Sequence, residues 1–182
     1  MTQSQQETRQ DEIARVQGYL KAQAVKRNPE QLVEALREAQ RQLVEATDHV
    51  PESAFRTPPA DGEWAAADVL EHVTMMAAID ERSILAAALG GERPGSVRDQ
   101  IEKAPADATK AQMLAQLEGA RTRLIDGVVT ADPDAHLDLT WSVSDFGQLN
   151  WREVLLFARV HTLDHAKQMQ AIAEAVQGTE MR

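Results

Sequence analysis

Apolar residues in this chain of 182 recur at three- and four-residue intervals, the spacing of helices that bury one face. Leu32, Leu36, Leu43 and Val44 form one such stripe, opened by Asn28-Pro29-Glu30-Gln31 and broken between Asp48 and Pro51. Asn28 suits an N-cap, Pro29 the first helical position, and Gln31 the return bond of a capping box. A second helix is predicted from Ala65 to Leu89, with Val69, Val73, Met76, Ile79 and Ser83 inward and Gly90-Gly91 as its stop. A third is predicted between Asp107 and about Val129, carrying Met113, Leu114, Leu117, Leu124 and Val128 on its inner side. Asn150-Trp151-Arg152-Glu153 is a further capping box. It opens a fourth helix with Val154, Leu155, Ala158, Met169 and Ile172 inward, ending near Gly178.

Ahead of these four, residues from Asp11 to Arg27 also carry a helical pattern through Ile13, Val16, Leu20 and Val25. The expected fold is therefore all-α, a four-helix bundle over residues 29–178 with an additional N-terminal helix in an extension over 1–28. The segments 50–63 and 90–105 are rich in Pro, Asp and Gly and read as loops. Residues 137–149 hold Trp141, Val143 and Phe146 in partly alternating order. That stretch is too isolated to promise a sheet and is expected to be an ordered crossing loop.

Composition agrees with this picture and narrows the function. Hydrophobic residues make up 43% and charged ones 26%, ordinary for a globular chain, while β-branched runs and aromatics are scarce. A net charge of −10 and the lack of any Lys/Arg cluster argue against nucleic-acid binding. No stretch approaches the roughly 18 apolar residues of a membrane span, and the first residues are too polar for a signal peptide. The absence of cysteine removes disulfides, thiolate ligands and a cysteine nucleophile together, and fits a cytoplasmic setting.

The chemistry concentrates in histidine. His161 and His165 are four residues apart, so they share one face of the fourth helix, the apolar one that also carries Ala158, Gln168 and Met169. His72 lies in the inward stripe of the second helix, among Val69, Val73 and Met76. A lone inward histidine is ordinarily a satisfied core residue. Three converging from two helices need partners for their ring nitrogens, or burial costs about 1–3 kcal/mol each. One divalent metal ion would meet that need for all three and leave a coordination position open, as in catalytic zinc sites.

The neighbouring residues qualify that reading. The pair lacks the glutamate that follows the first histidine in metalloproteases, because that position is Thr162. Spacing turns Glu71 and Asp164 away from the three rings. Gln168, one turn past His165, can reach the same pocket. Asp68, one turn before His72, could orient that ring or simply favour the start of its helix. Trp141 and Phe146 could line a substrate pocket or plug the core. His49 and His136 lie beside loops and are expected to be solvated.

Trp64-Ala-Ala-Ala-Asp68-Val-Leu-Glu71-His72-Val, followed far downstream by His161-Thr-Leu-Asp-His165-Ala-Lys-Gln168, resembles the DinB/YfiT-like superfamily from about Pro29 to Gln177. The resemblance implies a four-helix bundle whose metal ligands are His72, His161 and His165, with nickel or zinc as the usual occupant and a homodimer common. Two features depart from the family pattern: Ala65 stands where a Ser or Thr cap is common, and the segment before Asn28 is extra. Similar proteins include transferases that use a low-molecular-weight thiol such as bacillithiol or mycothiol. The resemblance thus implies a metal-dependent thiol S-transferase, or a hydrolase, acting on a small-molecule substrate. The alternative it leaves is a non-catalytic metal-binding module that acts in stress responses or through a partner.

Overall fold

The structure of the protein, a computed structural model, describes residues 3–98 and 102–180, with side chains from 10 to 98 and from 102 to 178. Residues 99–101 of the predicted 90–105 loop lie outside that range. The helices are α1 (Gln3–Lys26), α2 (Pro29–Asp48), α3 (Ala66–Gly90), α4 (Lys110–Val128) and α5 (Trp151–Glu180). The expected four long helices and the one before them are all present. No helix among the described residues is long and apolar enough to cross a membrane.

Local chemistry sets most of the boundaries. At the start of α2, Asn28 Oδ1 accepts from the Gln31 amide at 2.9 Å and Gln31 Oε1 accepts from the Asn28 amide at 3.1 Å. Asn150 and Glu153 repeat that reciprocal pair at the start of α5, at 3.1 and 3.0 Å. Helix α4 begins at Lys110 rather than Asp107, because Thr109 and Gln112 make a third capping box there. Helix α3 has no side-chain cap at Ala65; the Asp68 carboxylate accepts from the Ala65 amide instead. Gly91 ends α3 in the left-handed region at φ 62°, a conformation that suits glycine.

Helix α2 packs most extensively on α5 and α3 on α4, with α3 also against α5, while α2 and α4 touch little. Round the bundle the order is therefore α2, α5, α3, α4. Both long connections, from α2 to α3 and from α4 to α5, cross a diagonal. The apolar interior divides into two clusters. One gathers Leu36, Ile84, Leu124, Trp151 and Leu155, the other Leu43, Phe55, Val73, Met113 and Met169. They meet where α5 carries residues 159–165, and there the interior turns polar.

Two expectations are corrected. Val25 is 82% exposed, and Ala24 is the buried residue of the last turn of α1. From Leu20, four residues at about 100° each return to nearly the same face, whereas five swing away from it. The crossing segment also contains a two-stranded antiparallel ribbon, β1 (Trp141–Ser142) against β2 (Gln148–Leu149), closed by a 3-10 turn at Ser144–Phe146. Its short strands are held from outside. The Val97 amide donates to the Ser142 carbonyl at 2.9 Å, the Ser144 amide donates to the Val97 carbonyl at 2.8 Å, and Trp141, Val143 and Leu149 are buried in the core.

Candidate metal centre

Helix α3 presents His72 on its inward stripe, where the side chain is 3% exposed, and α5 presents His161 and His165 half-buried one turn apart. The three side chains meet. His161 Nε2 lies 3.0 Å from His72 Nε2 and 3.2 Å from His165 Nε2. An imidazole nitrogen has one in-plane position, which holds either a proton or a lone pair. His161 Nε2 cannot make a well-aligned hydrogen bond to two other ring nitrogens through that one position. Three Nε2 atoms around one point are instead the arrangement that a shared cation completes.

The rings are oriented by their surroundings. His165 Nδ1 is 2.9 Å from Gln168 Oε1, an acceptor, so Nδ1 carries the proton and Nε2 keeps its lone pair toward the cluster. Trp64 packs parallel to His165 at 6.3 Å between centroids and edge-on to His72 at 5.4 Å. The Asp68 carboxylate accepts from Lys103 Nζ at 2.8 Å and from the Ala104 amide at 3.1 Å, so it ties the segment before α4 to the first turn of α3. Burial raises its pKa, but these donors outweigh burial and hold it below the ordinary carboxylate range.

Its surroundings keep His161 neutral. Burial first, then His165, His72 and Arg121, push the His161 pKa down to about 2. Arg121 reaches this region from α4. Its Nη1 donates to Asp80 Oδ2 at 3.1 Å and its Nη2 to Thr162 Oγ1 at 3.3 Å, with both ion-pair side chains almost fully buried. Thr162, at the position of the metalloprotease glutamate, also donates to the Ala158 carbonyl at 2.8 Å. Asp164 is exposed and paired with Lys167 at 3.8 Å. Glu71 is raised by burial and by Glu102. Among the described residues the ligand-type cluster consists of His72, His161 and His165.

A cavity of about 470 Å³ opens onto the three rings and is walled by Trp64, Phe146, Phe157 and Val160, with Ile13 and Val16 of α1. Phe146 therefore lines the space, whereas Trp141 is buried in the core at 2% exposure. His49 and His136 are exposed. Phe157 stands one turn before His161 on the same face and stacks on it at 5.9 Å, a relation that helical spacing alone makes readable. The contributions of Arg121 and of α1 did not emerge from the sequence.

The donor set suits a borderline metal ion. Tetrahedral zinc with bonds of about 2.0–2.1 Å has nitrogen–nitrogen edges of about 3.3 Å, and octahedral geometry gives about 2.9 Å. The two observed edges fall between these values. All ligand atoms of the group lie within 4.8 Å of one another.

A four-helix bundle with crossed connections and a three-histidine cluster facing a cavity defines a recognisable class. The family model described as the DinB superfamily matches residues 35–169, and the chain belongs to that superfamily. Two solved structures share the fold. "TT2238, a four-helix bundle protein" aligns at a TM-score of 0.59 and 23% identity, over 79% of this chain and 98% of its own. YfiT from Bacillus subtilis, described as a probable metal-dependent hydrolase with an unusual four-helix bundle topology, aligns at a TM-score of 0.64 and 17% identity, over 82% and 87%. No curated protein matches the sequence.

Proposed function

We propose that His72, His161 and His165 hold one divalent transition metal, nickel or zinc, and that the protein is a metal-dependent enzyme acting on a small molecule admitted through the cavity. The observation that carries this reading is the meeting of three Nε2 atoms on the wall of that cavity. Such an ion, when bound, supplies Lewis acidity and lowers the pKa of a water or thiol that it ligates. The chain's own residues supply the rest. Gln168 fixes the His165 tautomer, burial keeps His161 unprotonated, and Trp64 and Phe157 brace the rings and exclude water from one side.

No carboxylate of the described residues joins the cluster to act as a base. A nucleophile that ionises on the metal needs none, so the reaction proposed is transfer of a group to water or to a low-molecular-weight thiol. The hydrolytic branch draws support from the fold shared with YfiT. A homodimer and a cytoplasmic location belong to the same proposal, and sedimentation and cell fractionation test them.

Metal content of untagged protein beside His161→Ala is the primary test. We expect about one transition metal per chain in the parent and nearly none in the variant. Retention of metal by the variant, or none in the parent after incubation with zinc or nickel, would overturn the assignment. A thiolate-to-cobalt charge-transfer band on adding thiol to cobalt-loaded protein selects the transferase branch. Metal without any response to thiol or hydrolysable substrate favours a non-catalytic module.

A further inference from the structure

Helix α1 lies outside residues 35–169 that match the superfamily, yet it supplies one side of the cavity over the three histidines. It is anchored along its middle. Leu20 is fully buried, Gln17 Nε2 donates to the Phe146 carbonyl, and Arg159 Nη1 lies 3.4 Å from the Tyr19 hydroxyl. The turn before that anchor carries Ile13 and Val16, three residues apart on one face and half-buried on the cavity wall. Phe146 and Phe157, with ring centroids 4.8 Å apart, line the same space. A cavity of this size accommodates a small organic molecule.

We propose that α1 turns the cavity into a selective pocket, in which Ile13 and Val16, with Phe146 and Phe157, hold the apolar body of a small molecule whose donor head reaches the three-histidine centre. The head depends on the metal reading above; the apolar wall does not. Glu12, Asp145 and Asp164 also line the cavity, and the apolar side chains between them suit an uncharged aromatic or aliphatic body. Ile13 and Val16 are in this view specificity-determining residues, contributed from outside the range that matches the superfamily.

The test compares two metal-directed probes on zinc-loaded full-length protein by calorimetry: acetohydroxamate, a head with almost no body, and benzohydroxamate. The parent should bind benzohydroxamate about 10- to 100-fold more tightly, the return expected from burying one ring. Ile13→Asp with Val16→Asp should reduce that preference to about twofold, weakening benzohydroxamate more than acetohydroxamate. Because two new charges could undock α1, Val16→Trp is measured beside it. That substitution fills the cavity with α1 in place and should weaken benzohydroxamate selectively. A preference absent from the parent, or intact in both variants, overturns the proposal. If acetohydroxamate fails to bind at all, the metal reading has failed, and the wall is tested without metal by titrating cyclohexanol against the methyl resonances of Ile13. Shifts in the parent that vanish in Val16→Trp support the pocket, and their absence from the parent overturns it.

Discussion

At Thr162 the bundle interior holds an ion pair, Asp80 with Arg121, joined to the hydroxyl of α5. One residue earlier on the same helix it holds three imidazoles, His72, His161 and His165. Both clusters interrupt the same core and both draw on α3 and α5. The first unites an anion, a cation and a neutral hydroxyl that bond to one another, although the buried Arg121 Nε is left without a hydrogen-bond partner among the described residues. The second brings together three bases of the same kind, the donor set that the proposed metal would share. Adjacent residues of one helix point about 100° apart, so α5 can serve a closed cluster facing α4 and an open one facing the cavity.

The largest expected effect breaks the closed cluster. Arg121→Met removes the guanidinium beside a carboxylate that is 5% exposed, and should cost about 3–5 kcal/mol in urea unfolding. Asp80→Leu combined with Arg121→Met should recover most of that loss, because two apolar side chains replace two charges that needed each other. A double variant as unstable as the single one would mean that the pair does more than neutralise itself, for instance by positioning the α5 turn that carries His161.

The open cluster should behave in the opposite way, gaining stability from an added partner. At a free zinc concentration of 1,000 times its Kd, the parent should gain about 4 kcal/mol over the metal-free form. His161→Ala should gain almost nothing, and its metal-free melting point should stay near that of the metal-free parent. A collapse of the variant without metal would show that the imidazoles stabilise the bundle by packing alone.

Gln168 meets the open cluster at the outer nitrogen of His165. Replacing it by Leu leaves His165 Nδ1 without the 2.9 Å acceptor that fixes its tautomer. The expected result is a 10- to 100-fold weaker zinc affinity in competition with a chelating dye, about 1.4–2.7 kcal/mol. Gln168→Glu keeps an acceptor there and should preserve affinity. Equal losses in both variants would point to simple disruption of packing.

The helices, three of their caps and the pairing of His161 with His165 were readable because each follows from a short-range rule, whereas His72, 89 positions from His161, was placed by its inward stripe and the family resemblance. Capping boxes span three residues and the i, i+4 pair spans one turn, so neither depends on the rest of the molecule. Arg121 was readable in principle, since Leu117, Arg121 and Leu124 share the inward face of α4, but its charge hides it among exposed arginines such as Arg123. The ribbon was not readable. Two-residue strands carry almost no periodic signal, and what holds them is the distant Val97. The cavity wall was equally hidden, because the docking of α1 depends on contacts such as that of Gln17 with the Phe146 carbonyl, 129 positions away. Asp68 shows the remaining limit: its spacing suits either ring orientation or helix capping, and only the fold brings Lys103 and Ala104 to it.

The smallest effect is the dependence of the metal-free protein on pH, and its sign follows from His161. Burial first, then the neighbouring His165, His72 and Arg121, lower that pKa to about 2, whereas an unfolded imidazole titrates near 6.5. Between those values the unfolded chain takes up a proton that the folded chain refuses. The stabilisation linked to neutral His161 is therefore fully present above about 6.5 and is lost as the pH falls toward 2. Its slope approaches but does not exceed about 1.4 kcal/mol per pH unit. Carboxylates titrate over part of the same range, so the informative quantity is the difference between metal-free parent and His161→Phe in thermal melts from pH 7.5 to 5, which span roughly the upper part of that window. The parent should lose stability faster than the variant as the pH falls below 6.5. Parallel curves would mean that the imidazole takes up its proton without unfolding, and that the cluster opens to water before the ion pair beside it does.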